Sequence, residues 1–354
     1  MSKTLHLPGL IDIHVHFRDP GQTHKEDFFT GSSAALAGGV TTAFDMPNNQ
    51  EPILTYEKLL EKLEIAKQKA VCDFGLYFGT DGKNTDQFER AIDKVIGLKV
   101  YLGVATGKLV LEDKELVKRV FGNWPKNRVI IVHAEGEKVD LAINLGAKLG
   151  NKIHITHVAT KTDLEKIIEA KKNKCNVTCD TTPHYLFLTN NYLTRNPGFG
   201  QVKPPLATKN DQDYLWDHLS DIDCLATDHA PHTTSEKQSA SPPSGMPGLE
   251  TMLPLLLNAI KQGRISTEEV IRLTSTNPQK IFDYKQDKET YVEVDPDEEW
   301  VIENKNLKTK CGWSPFERWK VRGKVKKVYI RGVEAFIEGS ILVKPGFGKN
   351  ILTD

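Results

Sequence analysis

His14-Val15-His16 ends the apolar run Leu10-Ile11-Asp12-Ile13. Strand residues two apart project to one face, so both imidazoles leave together and can grip one metal ion. Phe17-Arg18-Asp19-Pro20-Gly21 then adds a guanidinium beside that position, and a turn. A lone His-x-His also arises on any half-buried strand, so the pair by itself is weak support for a metal. Four further candidates stand downstream, each at a strand-like run. Lys99 stands between Gly97-Leu98 and Val100-Tyr101-Leu102, and His133 closes Val129-Ile130-Ile131-Val132. His157 closes Ile153-His154-Ile155-Thr156, and Asp228 closes Cys224-Leu225-Ala226-Thr227. Burying a lysine disfavours its ammonium, and the neutral amine can add carbon dioxide to form a carbamate able to bridge two cations. Each residue alone reads as an ordinary strand-end or core side chain; six landing on one rim is a poor coincidence. Imidazoles and carboxylates suit zinc and similar divalent ions. One zinc needs three or four ligands, so the set is better matched to two ions ~4 Å apart sharing a hydroxide.

Bringing those groups to one rim requires a particular frame. Strand-like runs are expected at 10–16, 41–45, 72–79, 98–102, 128–133, 152–157, 176–179 and 224–228. Helical patterns lie between them, at 56–69, 86–95, 114–121, 138–149, 162–173 and 212–219. Eight strands alternating with helices predict an α/β fold of the (β/α)8 barrel type, with its active site at the C-terminal strand ends. The 354 residues suffice for that barrel plus a small appendage. Beyond helical stretches at 248–262 and 267–282 the character changes. Residues 287–306 are acidic and strand-like, and 321–343 alternate through Val325, Val328, Ile330, Val333 and Phe336. The expected division is a barrel over 1–282 and a β-rich structural appendage over 283–354.

Charge is balanced, 47 basic against 47 acidic residues with no basic stripe, which argues against nucleic acid as a partner. No run approaches the ~18 apolar residues of a membrane span, and Met-Ser-Lys-Thr-Leu-His has no signal-peptide core. The five cysteines form no Cys-x-x-Cys pair and read as reduced, buried thiols of a cytoplasmic protein. The chain enters its first strand almost at once, as a domain cut from a longer polypeptide would.

The order His-x-His, Lys, His, His, Asp resembles the amidohydrolase superfamily over nearly the whole chain. Longer strings are similar to dihydroorotase: residues 8–21, Met46-Pro47-Asn48, and Ala226-Thr227-Asp228-His229-Ala230-Pro231-His232. Residues 247–254 and Ser314-Pro315-Phe316-Glu317 are similar to the dihydroorotase domain of the multifunctional pyrimidine-synthesis protein of animals and their relatives. The resemblance implies reversible cyclisation of N-carbamoyl-L-aspartate to L-dihydroorotate and water, in pyrimidine biosynthesis. It implies two Zn2+ ions held by His14, His16, Lys99, His133, His157 and Asp228, bridged by carboxylated Lys99 and a hydroxide, with Asp228 carrying the proton. It further implies substrate contacts from Arg18, Asn48, Lys203 and His232, and a mobile loop with Gly103, Thr106 and Gly107. A homodimer is implied too, with flanking carbamoyl-phosphate synthetase and aspartate carbamoyltransferase domains.

Three positions depart from the pattern. Lys203 stands where animal members carry arginine, a point charge in place of a fork. Ala105 stands at the loop position where relatives have a substrate-contacting threonine, with Thr106 one residue on. Thr156 and Asp180 stand where some relatives hold an extra ion with cysteine and an acid, which speaks against a third ion here. Two rivals stay open: a dihydropyrimidinase, hydantoinase or allantoinase, and an inactive scaffold. Arg18 separates the first, because those substrates lack a ring carboxylate. Retention of all six donors separates the second.

Overall fold

The computed structural model describes residues 4–103 and 109–352. Of the expected loop, Gly103 is described, whereas Thr106 and Gly107 lie outside the described residues. The chain opens with β1 (Leu5–Pro8) and then lays down eight strands that pair in chain order. These are β2 (Leu10–Val15), β3 (Val40–Asp45), β4 (Asp73–Gly79), β5 (Gly97–Tyr101), β6 (Val129–His133), β7 (Lys152–Ile155), β8 (Val177–Thr181) and β9 (Cys224–Leu225). Every neighbouring pair is parallel. Strands β2 to β6 are buried along their whole length, as a parallel sheet covered by helices requires. Ile11, Ile13, Phe44, Tyr77 and Ile131 share the inner cluster, with Phe282 packed among them.

Two irregularities shape the rim. Between Asp12 and Val15, β2 advances three residues while β3 advances two, from Ala43 to Asp45. This bulge re-aims the strand. Ile13 stays in the inner cluster, while His14 next to it still meets His157 across the barrel. The second irregularity is at closure. The sequence predicts a last strand over 224–228, yet only Cys224–Leu225 pair with β8. Beyond them the chain turns to β2, where the Asp12 carboxylate accepts the Thr227 N–H at 3.1 and 3.3 Å and its hydroxyl at 2.5 Å. A single bridge, Val15 to His229, completes the seam, with the His16 N–H donating to the His229 carbonyl at 2.8 Å. Burial is the main force on Asp12 and lifts its carboxyl to about 7.

The appendage is a five-stranded antiparallel sheet of β1, β10 (Tyr291–Val301), β11 (Lys320–Ile330), β12 (Val333–Ile337) and β13 (Ser340–Ile341), in that order. Its first strand comes from the N-terminus, with Leu5 opposite Val294 and Pro8 opposite Tyr291. The division expected near residue 283 places those residues with the barrel, because a four-residue strand is too short to show a period. Val292, Val294, Val325 and Val328 join the same core as Leu253 and Leu257 of the helix Met252–Lys261. Gly323 lets β11 lie on that helix: its φ is 94°, and a Cβ there would stand 2.6 Å from Leu257.

Candidate active site

The six candidate donors meet at the C-terminal rim as two touching groups. His14 Nε2 and His16 Nε2 lie 3.2 and 3.1 Å from Asp228 Oδ1, and one donor atom from each of the three residues lies within 4.8 Å of the others. Across the rim, His133 Nδ1 lies 2.8 Å from His157 Nε2. The His14 and His157 rings, 5.3 Å apart, join the two groups. Lys99 is fully buried beneath them, 3.3 Å from Thr156 Oγ1, which itself lies 2.9 Å from His157 Nε2.

Electrostatics keep this cluster poor in protons. Burial first, then the charges of neighbouring cations, holds His14 and His157 well below the usual histidine range. Burial lowers Lys99 to about 7, against the pull of Asp228 and Asp180. For Asp228 burial pushes up, but the hydrogen bond from His16 and the charges of His16, His184 and Lys99 leave it below the usual carboxylate range. Among the described residues, His14 Nδ1 and His157 Nδ1 are buried without a hydrogen-bond partner. Neutral imidazoles converging on one another and on a carboxylate form a donor set that a divalent cation satisfies. The backbone is strained here as well. Arg18, His157 and Asp228 have φ of 64°, 42° and 46°, a left-handed conformation costing about 1–3 kcal/mol each in residues other than glycine. Such strain concentrates where a site must be held in place.

Three of the four expected substrate contacts border the same space; the fourth, His232, does not. Arg18, Asn48 and Lys203 line one pocket with His14, His16 and Asp228. Asn48 Oδ1 lies 2.8 Å from His16 Nδ1. Arg18 Nε donates to the Pro231 carbonyl at 3.2 Å, and its Nη2 lies 3.2 Å from His232 Nε2. His232 is placed behind Arg18, with Nδ1 3.1 Å from the Lys25 ammonium and Nε2 3.0 Å from the Ser244 carbonyl. Lysine can only donate, so Nδ1 accepts and Nε2 carries the proton to Ser244. Burial, then Arg18 and Lys25, keep this ring neutral. Gly103 lies against the cluster, where a side chain would come 3.4 Å from the His133 ring. Asp180 is occupied as a support: Oδ1 accepts the His157 N–H at 2.7 Å, and Oδ2 lies 2.9 Å from His154 Nε2.

Sequence reasoning missed Tyr101, Lys25 and the Asp45–Lys62 pair. Tyr101 lines the pocket, two residues beyond Lys99 on the same strand face, so alternation would have found it. Lys62 Nζ sits 2.6 Å from Asp45 Oδ2, both buried, and donates to the Met46 carbonyl at 2.7 Å and Asn49 Oδ1 at 2.9 Å. Asp45 Oδ1 also accepts the Phe17 N–H at 2.7 Å. One ion pair thus braces the turn that aims Arg18 and the loop that carries Asn48. Lys62 shares the buried face of its helix with Leu59, Leu63 and Ala66, an anomaly readable from helical spacing.

A model of the Amidohydrolase family matches residues 5–120. The multifunctional protein CAD of Squalus acanthias is 44% identical over 350 residues, which is 99% of this chain but 16% of the length of that protein. The dihydroorotase of Pyrococcus abyssi is 35% identical over 366 residues, covering 96% of this chain and 85% of its own length. Among solved structures, the L-hydantoinase (dihydropyrimidinase) of Arthrobacter aurescens superposes with a TM-score of 0.94 at 25% identity, over 98% of this chain and 89% of that one. The inactive dihydroorotase-like domain of a Chaetomium thermophilum CAD-like multifunctional protein gives 0.85 at 26% identity, over 99% of both chains.

Proposed function

The chain belongs to the dihydroorotase family of amidohydrolases, and from that premise we propose that it interconverts N-carbamoyl-L-aspartate with L-dihydroorotate and water. The observation that carries the reading is one pocket combining the donors His14, His16, His133, His157 and Asp228 with two cations, Arg18 and Lys203. The substrate has a reacting amide and a carboxylate that does not react. The donor cluster suits the first, and a guanidinium fork suits the second.

Divalent ions, zinc in this reading, would be held by His14, His16 and Asp228 and by His133 and His157, with a carboxylated Lys99 between. Such ions supply Lewis acidity and lower the pKa of water near neutral pH. The chain's own groups do the rest. Arg18 orients the free carboxylate, Asn48 supplies an amide beside His16, and Lys203 adds positive charge. In ring opening, water adds to the ring amide carbonyl and the carbon–nitrogen bond breaks. Asp228 takes the water proton and returns it to the leaving nitrogen. Cyclisation reverses the path and starts from protonated Asp228. The reading extends to a homodimer in the cytoplasm and to flanking carbamoyl-phosphate synthetase and aspartate carbamoyltransferase domains. Among the described residues no helix is long and apolar enough to cross a membrane.

The test is turnover of dihydroorotate beside dihydrouracil and allantoin on one zinc-loaded preparation, with metal content measured. Turnover of dihydroorotate alone, lost in Asp228→Ala, supports the reading. Preference for an uncharged ring transfers the chain to the hydantoinase branch. Bound zinc without turnover favours the inactive-domain likeness.

A further inference from the structure

Between β10 and β11, residues 308–313 leave the appendage sheet and lie against the loop that carries Asp228. The N–H groups of Lys308 and Thr309 each donate to the Glu250 carboxylate at 2.9 Å. The Lys310 N–H donates to Glu26 at 3.1 Å, and the Thr309 hydroxyl donates to the same carboxylate. Glu26 is fully buried, and its Oε2 lies 3.4 Å from His229 Nε2. The other ring nitrogen of His229, Nδ1, accepts the Gly248 N–H at 3.2 Å. The ring proton therefore sits on Nε2 and points at Glu26. His229 directly follows Asp228, and its carbonyl accepts the His16 N–H. Three residues on, the His232 carbonyl accepts the Trp313 indole N–H at 2.7 Å. One strap from the appendage thus reaches the loop at two points just after the reacting carboxylate, through Glu26 at His229 and directly at His232.

We infer that Glu26 is a positioning residue for Asp228, acting through His229, and that strap 308–313 fixes the loop 228–232 from which the proton carrier and His232 project. Glu26 is not among the residues lining the pocket. Its effect on rate is transmitted by geometry, and a displacement of about 1 Å at a reacting group can cost about a hundredfold. The kinetic part of this inference rests on the dihydroorotase reading; the mechanical part does not.

The experiment uses the full chain with four substitutions: Glu26→Gln, His229→Gln, Trp313→Phe and, as control, Glu298→Gln in the surface ion pairs with Lys324 and Lys326. Zinc content, kcat and KM for dihydroorotate, and amide exchange over residues 226–232 are measured for each. In Glu26→Gln, kcat should fall at least about tenfold at wild-type zinc content, and the double variant with His229→Gln should be no slower than the slower single. Exchange over 226–232 should quicken in Glu26→Gln and Trp313→Phe and stay unchanged in the control. Wild-type kcat and exchange in Glu26→Gln, or losses that multiply in the double variant, would overturn the inference. Should Glu26→Gln not fold, Trp313→Phe keeps an aromatic ring, drops the indole N–H donor to His232, and decides through exchange alone. Absence of wild-type turnover would sink the proposed function, while exchange would still uphold or overturn the strap.

Discussion

Arg18→Met removes the guanidinium and keeps an apolar stem of similar length. Two of the Arg18 nitrogens already face partners inside the fold, Nε the Pro231 carbonyl and Nη2 the His232 ring. A guanidinium carries five N–H donors; the Pro231 carbonyl takes one, and the protonated Nε2 of His232 cannot accept another, so enough remain for a two-pronged grip on a carboxylate. Hydrogen bonds to charged groups contribute about 1.5–3 kcal/mol each, so losing two removes about 3–6 kcal/mol of binding. At about 1.4 kcal/mol per factor of ten, kcat/KM for dihydroorotate should fall about 10²- to 10⁴-fold. Dihydrouracil offers no carboxylate and controls for the structural contacts: its slower turnover should change only a few-fold. The assay is steady-state hydrolysis of both rings by wild type and variant at equal zinc content. Equal losses on both substrates would show that Arg18 merely holds the loop through Pro231 and His232. A loss on dihydroorotate smaller than tenfold would refute the carboxylate role outright.

Lys62→Met leaves Asp45 buried without its cation and should destabilise the fold by about 3–5 kcal/mol, read from the urea midpoint. Adding Asp45→Asn should restore more than half of that; a single-variant loss below about 1 kcal/mol would show that the pair braces nothing. His184 is held down to about 4, chiefly by burial, from an ordinary 6.5. The unfolded chain therefore takes up a proton at higher pH than the folded one, and stability falls as pH drops from 6.5 toward 4, by about 3 kcal/mol from this residue. His184→Gln should flatten that slope by one proton, and an unchanged slope would assign acid sensitivity elsewhere. In the proposed reaction, cyclisation starts from protonated Asp228, whose carboxyl lies below the usual range. The forward rate should then climb as pH falls from 9 toward 6, ending where ligand protonation sheds the metal; a forward profile rising with pH would contradict the assignment.

What sequence could reveal depended on how local each signal is. Runs such as Val129-Ile130-Ile131-Val132 mark a strand by their own composition, and a His, Lys or Asp at or near the end marks the rim, so the barrel frame was legible. The extent of the eighth strand was not, because Thr227 turns to a side chain of β2 across 215 residues. Strand β1 escaped because pairing with β10 alone gives its four residues meaning. Glu26 and strap 308–313 gave no periodic trace at all: their contact spans 284 residues and joins irregular segments through a buried carboxylate. Lys62 is the instructive middle case, since its place on an apolar helical face announced something buried and only its partner was hidden.

The seam between β2 and β9 also sets the order in which this molecule can become active. His14 and His16 lie on one side of the join and Asp228 on the other, so the three groups meet only when the ring is complete. Closure brings together residues 215 apart, the costliest kind of contact to form early in folding. A chain with most of its helices and strands in place but the ring still open has no centre for the reaction. A cation held as proposed, by His14 and His16 on one side and Asp228 on the other, would act as a rivet across the thinnest part of the hydrogen-bonded wall, so loading and final closure would favour each other. In refolding, enzymatic activity should return together with protection of the Thr227 amide and never ahead of it.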